Sequence, residues 1–125
     1  MKYFTIRNKI YRLFRRLHII FFGLKPGCFI QDPKNTIIGK NVLISHGVQI
    51  YTKNHSINNI KRMCKPEPVV IHDNCWLGAN TIILPGVTLG IHTVTGAGSV
   101  VTKSFEGGFC VIAGNPAKKI KEIKP

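Results

Sequence analysis

A branched residue recurs at every sixth position through most of this chain. These anchor positions are Ile38, Ile44 and Ile50, followed by Ile71, Leu77, Ile83, Leu89, Thr95 and Val101. Four residues after an anchor stands a smaller residue, as at Val42, Val48, Cys75, Thr81, Val87, Thr93 and Ser99. A period of six fits neither a helix nor the alternation of a single strand. It is typical of a solenoid built from short strands and tight turns.

The third residue after most anchors is one that tolerates a positive backbone φ. These residues are Asn41, Gly47, Asn74, Asn80, Gly86, His92 and Gly98. Glycine and asparagine, and more weakly histidine, adopt the left-handed region in which a β-branched residue would be strained. Pro85-Gly86 also fits a type II turn. Each hexapeptide is therefore predicted to be a short strand followed by one tight turn, and the fold class to be all-β.

The net charge limits which partners are expected, and the cysteine content limits which cellular compartment is expected. The chain has 125 residues, which fits one domain, and carries 18 Lys and Arg against five Asp and Glu, a net charge of +13. This excess favours an anionic partner such as a phosphorylated cofactor, a membrane surface or nucleic acid. The four cysteines, Cys28, Cys64, Cys75 and Cys110, form no CxxC pair. They are expected to be structural or incidental thiols in a reducing compartment.

The pattern divides the chain into three regions. Residues 1–26 keep apolar residues at helical spacing and include seven Lys or Arg and no acid. They predict a basic amphipathic helix, either an end cap of the solenoid or an interfacial helix on an anionic membrane. The apolar run in it is too short for a membrane span, and no signal-peptide cleavage site follows it. Residues 27–106 are the predicted solenoid, and residues 107–125 are a basic C-terminal tail.

The repeat is interrupted once, between Ile50 and Ile71, which are 21 residues apart and therefore not in register. A loop at about residues 53–68 must leave the coil there, and such an excursion is usually functional. His55 stands where the loop begins, and a neutral imidazole is a competent general base near pH 7. His55 is therefore the candidate catalytic residue, with an ordinary surface histidine as the alternative. His46, on the preceding coil, could line the same cleft.

No metal or dinucleotide site is expected. The histidines occupy unrelated places in the repeat, and no close pair has the spacing of zinc ligands. The string Gly96-Ala97-Gly98 belongs to a repeat turn, so it is not read as a dinucleotide fingerprint.

Several strings resemble the hexapeptide-repeat acyltransferases. They are Ile50-Tyr51-Thr52-Lys53-Asn54-His55, Trp76-Leu77-Gly78-Ala79, Pro85-Gly86-Val87-Thr88-Leu89-Gly90, Gly96-Ala97-Gly98-Ser99-Val100-Val101-Thr102-Lys103 and Gly114-Asn115-Pro116-Ala117-Lys118. The match covers about residues 38–123 and is most similar to the maltose and galactoside acetyltransferases and the polysaccharide O-acetyltransferases. The resemblance implies a left-handed parallel β-helix and a homotrimer with active sites in clefts that the loop covers. It also implies that acetyl-CoA lies along the coil.

The resemblance assigns roles to individual residues. His55 would take the proton from an acceptor hydroxyl, which attacks the acetyl carbonyl directly. The resemblance makes Trp76 a candidate acceptor contact, with a packed interface aromatic as the alternative. Asn54, next to His55, and His46, on the preceding coil, are candidate acceptor contacts by their position in the sequence. The candidate acetyl-CoA contacts begin at the backbone N–H of Ala79, which stands where some relatives have serine. Ala97, Thr102 and Lys103 match positions along the pantetheine and phosphate path. Lys118 and Lys119 are the candidates for binding the 3′-phosphate. Solvated lysines are the alternative for the last two.

The leading hypothesis is an acetyl-CoA-dependent O-acetyltransferase acting on a sugar hydroxyl in cell-surface polysaccharide biosynthesis. About 37 residues precede the first clear repeat, fewer than in sugar acetyltransferases, which favours a polysaccharide or lipid-linked acceptor over a disaccharide. The alternatives are an N-acetyltransferase acting on an amino sugar or a serine-type small acceptor, a zinc hydratase of the same solenoid fold, and a non-catalytic basic binding module. Nucleic acid is not expected as a partner. The expected location is the cytoplasm, with the N-terminal helix as a candidate for peripheral contact with the inner face of the membrane.

Overall fold

The computed structural model describes Phe4–Thr5 and residues 26–125. In chain order its strands are β1 (Phe4–Thr5), β2 (Phe29–Ile30), β3 (Thr36–Ile38), β4 (Leu43–Ile44), β5 (Gln49–Ile50), β6 (His55–Ser56), β7 (Asn59–Met63), β8 (Val69–Ile71), β9 (Trp76–Leu77), β10 (Ile82–Ile83), β11 (Thr88–Leu89), β12 (Thr93–Thr95), β13 (Val100–Val101), β14 (Cys110–Gly114) and β15 (Ala117–Glu122). One 3-10 helix, Pro33–Asn35, joins β2 to β3. Asp32 caps this helix by accepting a hydrogen bond from the Lys34 N–H at 3.0 Å.

Three sheets form the faces of a parallel β-helix. The first sheet has the order β1-β3-β8-β11, the second β2-β5-β10-β13, and the third β4-β9-β12-β14-β15. Consecutive strands of the solenoid lie in different sheets, while paired strands are parallel and one coil apart, as where Ile83 lies between Ile50 and Val101. The prediction of an all-β solenoid is therefore confirmed. The left-handed sense implied by the resemblance stays a prediction.

The six-residue anchors form the core. Ile50, Ile71, Leu77, Ile83, Leu89 and Val101 are fully buried, and Ile44 and Thr95 are 2% exposed. In the third sheet Leu77 pairs with Ile44 on one side and Thr95 on the other. Burying each large aliphatic side chain contributes about 1.5–3 kcal/mol. The polar Thr95 is accommodated because its Oγ1 accepts the Gly78 N–H at 3.0 Å and lies 2.8 Å from the Thr81 hydroxyl.

The turns have the backbone conformation that the sequence predicts. All seven residues singled out for positive φ adopt it, with φ between 54° at Asn41 and 79° at Gly86. Turns of successive coils are also bonded to one another: the Asn41 side-chain amide donates to Asn74 Oδ1 at 2.9 Å, and the Asn80 N–H donates to the His46 carbonyl at 3.0 Å. The turn residues therefore hold the corners of the solenoid in register.

The solenoid extends beyond the clear six-residue pattern at both ends. Phe29–Ile30 pairs with Gln49–Ile50 in the second sheet. At the other end Cys110–Gly114, assigned from sequence to the tail, pairs with Thr93–Thr95 and buries Ile112 completely. Residues Ala117–Glu122 then return antiparallel along β14.

The helix predicted over residues 1–26 falls largely outside the described residues. Phe4–Thr5 are an exception, and they are extended rather than helical, because they pair antiparallel with Ile37–Ile38 at the edge of the first sheet. At these two positions the prediction is wrong. No helix in the described part of the chain has the length and apolar character needed to cross a membrane.

The cysteines differ in their surroundings. All four are free thiols; Cys64 is exposed, whereas Cys75 and Cys110 are buried. The Cys75 thiol donates to the Gly90 carbonyl at 3.2 Å. Burial raises the pKa of the Cys75 thiol from 9.0 to about 11.

This shift predicts a loss of stability in alkali. Between about pH 9 and 11 the Cys75 thiol ionises in the unfolded chain but stays protonated in the native one. The unfolded state then binds fewer protons, so its relative free energy falls as pH rises, by at most about 2–3 kcal/mol. Urea unfolding of wild type and Cys75→Val at several pH values isolates this effect, because the two proteins differ at no other position. Parallel pH profiles for the two proteins would contradict it.

Candidate active site

The excursion loop is an antiparallel β-hairpin that leaves the solenoid between β5 and β8. Its strands are β6 and β7, in which His55 lies opposite Met63 and Ser56 opposite Asn59. At its base the Glu67 N–H donates to the Thr52 carbonyl at 2.6 Å. The hairpin occupies the segment, at about residues 53–68, where the break in the repeat predicts a loop.

His55 lies on the first strand of this hairpin and is exposed. Its neighbour Asn54, also exposed, accepts a backbone hydrogen bond from the Cys64 N–H at 2.8 Å. The strand that carries His55 is thus paired at His55 itself, opposite Met63, and at the preceding residue, where Asn54 bonds to Cys64. An exposed imidazole on a fixed backbone can accept a proton from a ligand bound beside the hairpin.

An open groove on the third sheet gathers two of the predicted acceptor contacts. It is lined by Pro26, Leu43, Ser45, His46 and Trp76. The Trp76 indole is 49% exposed, and its Nε1 donates to Ser45 Oγ at 3.3 Å. Apolar walls with a few polar groups are typical of small-molecule sites, and the indole can pack against the apolar face of a sugar ring.

The repeat pattern did not single out Ser45, Leu43 or Pro26 as groove residues. Ser45 directly precedes the turn of His46, and Leu43 pairs with Trp76 across the third sheet. Leu43 and Trp76 belong to different coils, so their pairing follows from the order of strands in the sheet and not from the repeat.

His46, Ala79 and Ala97 lie in one column of stacked turns, at the corner where the chain passes from the third sheet to the second. The Asn80 N–H donates to the His46 carbonyl at 3.0 Å, and the Gly98 N–H donates to the Ala79 carbonyl at 2.8 Å. Ala113, in the next coil, lies beside this column: Thr95 pairs with Ile112, so Ala113 stacks on Gly96, and a Cβ on Gly96 would lie 2.9 Å from its methyl group. We call His46, Ala79 and Ala97, together with the adjacent Ala113, the corner track.

Lys118 lies at the end of the corner track, because it pairs with Ala113 in the β14–β15 hairpin. Coils stack about 4.8 Å apart, so the track and Lys118 together extend on the order of 20 Å. Lys119 is engaged differently, in an exposed ion pair with Glu122 at 3.1 Å. Such a pair contributes at most about 1 kcal/mol.

In the part of the chain that is described, the Ala79 N–H makes no hydrogen bond, which leaves it able to donate to a ligand oxygen.

Thr102 and Lys103 lie at a different corner, where the chain passes from the second sheet to the first. Both are exposed, and the Lys103 ammonium sits 5.7 Å from the centre of the Phe105 ring. The hairpin with Asn54 and His55 leaves the solenoid at this same corner. Within one chain the predicted site residues therefore divide into two groups, one at each end of the second sheet's short strands.

Among residues 26–125, together with Phe4–Thr5, no three His, Cys, Asp or Glu side chains come together as potential metal ligands. The zinc site required by the hydratase alternative thus has no ligand set in that part of the chain.

Comparison with known proteins gives concordant matches. The family model for bacterial transferase hexapeptide, six repeats, matches residues 68–103. The galactoside O-acetyltransferase of Escherichia coli K12 is 38% identical over 97 residues, which are 75% of this chain and 47% of that protein. The chain spans about half the length of the first curated relatives it matches.

Solved structures agree in fold. A maltose O-acetyltransferase from Clostridium difficile 630 superposes with a TM-score of 0.69 at 30% identity, over 96% of this chain and 80% of that chain. Galactoside acetyltransferase in complex with coenzyme A gives a TM-score of 0.63 at 29% identity, over 81% and 62%. The polySia-specific acetyltransferase NeuO gives 0.65 at 33%, over 78% and 47%. With its repeat, its solenoid and these matches, the chain belongs to the family of hexapeptide-repeat transferases.

Proposed function

We propose that the protein is an acetyl-CoA-dependent O-acetyltransferase that modifies a sugar hydroxyl. The observation that carries the proposal is the placement of exposed His55 on a hairpin that projects from an otherwise regular solenoid. Relatives named as maltose and galactoside O-acetyltransferases support the reaction class. The half-exposed Trp76 and the adjacent Ser45 and His46 give the acceptor sugar an apolar surface bordered by polar groups.

In the proposed reaction His55 removes the proton of the acceptor hydroxyl while the hydroxyl oxygen bonds to the acetyl carbon. The bond between that carbon and the CoA sulfur then breaks, and the proton passes from the imidazolium to the departing thiolate. The carbonyl oxygen carries negative charge between these two events. The Ala79 N–H is our candidate donor to it, and losing one such donor typically costs ~10²–10³ in rate.

The corner track supports acetyl-CoA as the acyl donor. It offers an extended path of small residues, Ala79, Ala97 and Ala113, with Lys118 at its end. The net charge of +13 favours a phosphorylated ligand. Galactoside acetyltransferase, a structural relative, has been solved with coenzyme A. In our proposal Thr102 and Lys103 meet the same cofactor from the other corner, on a neighbouring subunit.

The division of the site residues between two corners supports a homotrimer. His55, Asn54, Thr102 and Lys103 belong to one corner, whereas His46, Trp76, Ala79 and Lys118 belong to the other, so a complete site would need two copies of the chain. We expect light scattering to give three times the chain mass of 14.0 kDa. A fully active monomer would contradict this arrangement.

The cellular setting is part of the proposal. The polySia-specific relative supports a polysaccharide acceptor, and we propose a role in cell-surface polysaccharide biosynthesis on the cytoplasmic side of the membrane. Peripheral membrane contact would come from residues 1–26, with seven basic residues and no acidic one. Flotation of the full chain with anionic and neutral vesicles tests this contact, and equal binding to both would argue against it.

The central experiment measures CoA thiol release from acetyl-CoA with a panel of acceptors. The panel pairs maltose and a galactoside with polysaccharide fragments, lipid-linked glycans and the matching amino sugars. We expect acceptor-dependent release, strongest with a polysaccharide or lipid-linked acceptor, and a product that mild alkali cleaves as an ester. An alkali-stable product would assign the N-acetyltransferase alternative. If the protein showed neither turnover nor acetyl-CoA binding, the remaining hypothesis would be the non-catalytic basic binding module.

A further inference from the structure

Gln31 bridges the first coil of the solenoid to the base of the hairpin. It directly follows β2, and its backbone N–H donates to the Ile50 carbonyl at 2.9 Å. Its side-chain Oε1 accepts two further hydrogen bonds, from the Thr52 N–H at 3.0 Å and the Lys53 N–H at 3.1 Å. Gln31 is therefore hydrogen-bonded to three residues, Ile50, Thr52 and Lys53, of the segment that leads from the core to His55.

The side chain of Gln31 supplies an acceptor to two N–H groups that have no backbone partner at this corner, those of Thr52 and Lys53. Tyr51 still donates its N–H to the next coil, at the Ile83 carbonyl. Beyond Tyr51 the chain turns away into the hairpin, while Thr52 remains fully buried. A buried backbone N–H without a partner costs about 1–3 kcal/mol. The Gln31 carbonyl removes this cost and, in doing so, fixes where the hairpin starts.

We call the two hydrogen bonds that the Gln31 side chain accepts from Thr52 and Lys53 the clamp. Few degrees of freedom remain between the clamp and His55. The Thr52 carbonyl accepts from Glu67, which ties the outgoing strand to the returning one. Only Asn54 separates Lys53 from His55, and its carbonyl accepts from Cys64. A shift of the Thr52–Lys53 peptide is therefore transmitted to the imidazole through a single residue. Displacements of about 1 Å at a catalytic group can cost ~10² in rate.

We propose that Gln31 is a positioning residue for His55: its side-chain carbonyl fixes the strand that presents the base, without contacting the substrate. The inference rests on the proposed function, in which His55 is the general base. It concerns the geometry of the hairpin, so part of its test is independent of turnover.

The experiment compares Gln31→Met with Gln31→Glu in the full chain. Methionine has a similar length but gives the two N–H groups no strong acceptor, whereas a glutamate carboxylate keeps one. We expect kcat of Gln31→Met to fall about tenfold or more, with the KM for acetyl-CoA unchanged, and kcat of Gln31→Glu to stay within about twofold of wild type. Wild-type kcat in Gln31→Met, or an equal loss in both variants, would overturn the proposal.

Amide hydrogen exchange tests the clamp without any activity. We expect exchange at Thr52 and Lys53 to accelerate in Gln31→Met and not in Gln31→Glu, while Ile83 in the core stays protected in both. Unchanged exchange at Thr52 and Lys53 would overturn the clamp. If the wild type transfers no acetyl group, the proposed function fails, while the exchange result still decides whether Gln31 holds the hairpin.

Two further variants guard against a general effect on folding. Thr52→Val removes a buried hydroxyl that has no hydrogen-bond partner among the described residues. It should leave the amide exchange of Lys53 at the wild-type rate, because the backbone bonds to Gln31 remain. If Gln31→Met does not fold, Gln31→Asn replaces it, since its acceptor is one methylene short of the two N–H groups, and the same fall in kcat is expected. Wild-type kcat in Gln31→Asn would then count against the proposal.

Discussion

Replacing His55 with asparagine is expected to lower kcat for acetyl transfer by about 10²–10⁴-fold, the usual contribution of a positioned general base. Asparagine is close to histidine in size and polarity but cannot take up a proton near neutral pH. Because His55 is exposed on the hairpin and is absent from the buried core, the substitution should leave the thermal transition within a few degrees of wild type. The loss should therefore appear in catalysis rather than in folding.

The matched control is His92→Asn. His92 occupies a corner turn with φ of 56°, which asparagine adopts as readily, and it lies at the corner between the first and third sheets, away from the hairpin. Its ring lies 5.6 Å from the Phe109 ring, so only a small change in stability is expected. Steady-state kinetics with saturating acetyl-CoA compares the two variants. A His55→Asn protein with kcat within about threefold of wild type would remove His55 from the mechanism and require another base.

The turns could be predicted from sequence because their cause is local. Positive φ at Asn41, Asn74, Asn80 and His92 follows from a residue's own tolerance for that conformation and from its place in a six-residue period. Burial follows the same period, since two positions in six, the anchor and the smaller residue four after it, are buried in most hexapeptides. The loop followed from a break in the same period.

Longer-range geometry was less accessible to sequence reasoning. In the coils that follow the hairpin, paired strands are 18 residues apart, as in Ile83 with Val101 and Leu77 with Thr95, so three hexapeptides make one coil. Ala79 and Ala97 are also 18 residues apart. This separation indicates that they stack in the corner track, but only once it is known that three sheets form each coil. Assigning Thr102 to a different corner needs the same information.

The clamp by Gln31 had no signal in the repeat at all. Gln31 precedes the first clear anchor, and its partners Thr52 and Lys53 lie 21 and 22 residues further along the chain. Phe29–Ile30 lies inside the predicted solenoid of residues 27–106, but the period does not give its register, because the 3-10 helix Pro33–Asn35 interrupts it. Side-chain bonds between coils depend on where coils stack, which periodicity alone does not give.

The largest expected effect on stability is that of Leu77→Ala. Leu77 is fully buried in the third sheet, between Ile44 in one coil and Thr95 in the next. Removing its side chain leaves a cavity in the buried core, so the free energy of unfolding should fall by about 2–5 kcal/mol. That is a large share of the 5–15 kcal/mol typical of a domain.

Leu43→Ala is the matched control, because the same atoms are removed from a leucine that is 48% exposed in the same sheet. It should cost about 1 kcal/mol or less, and the volume-conserving Leu77→Met should cost less than about 1.5 kcal/mol. Urea unfolding followed by the fluorescence of Trp76, the chain's single tryptophan, measures all three at one protein concentration, since assembly adds to apparent stability. Equal losses in Leu77→Ala and Leu43→Ala would mean that the anchor column does not carry the core. A selective loss in Leu77→Ala would also show that the strand carrying the Trp76 indole is stabilised by its buried residue, because Trp76 and Leu77 are neighbours on one two-residue strand.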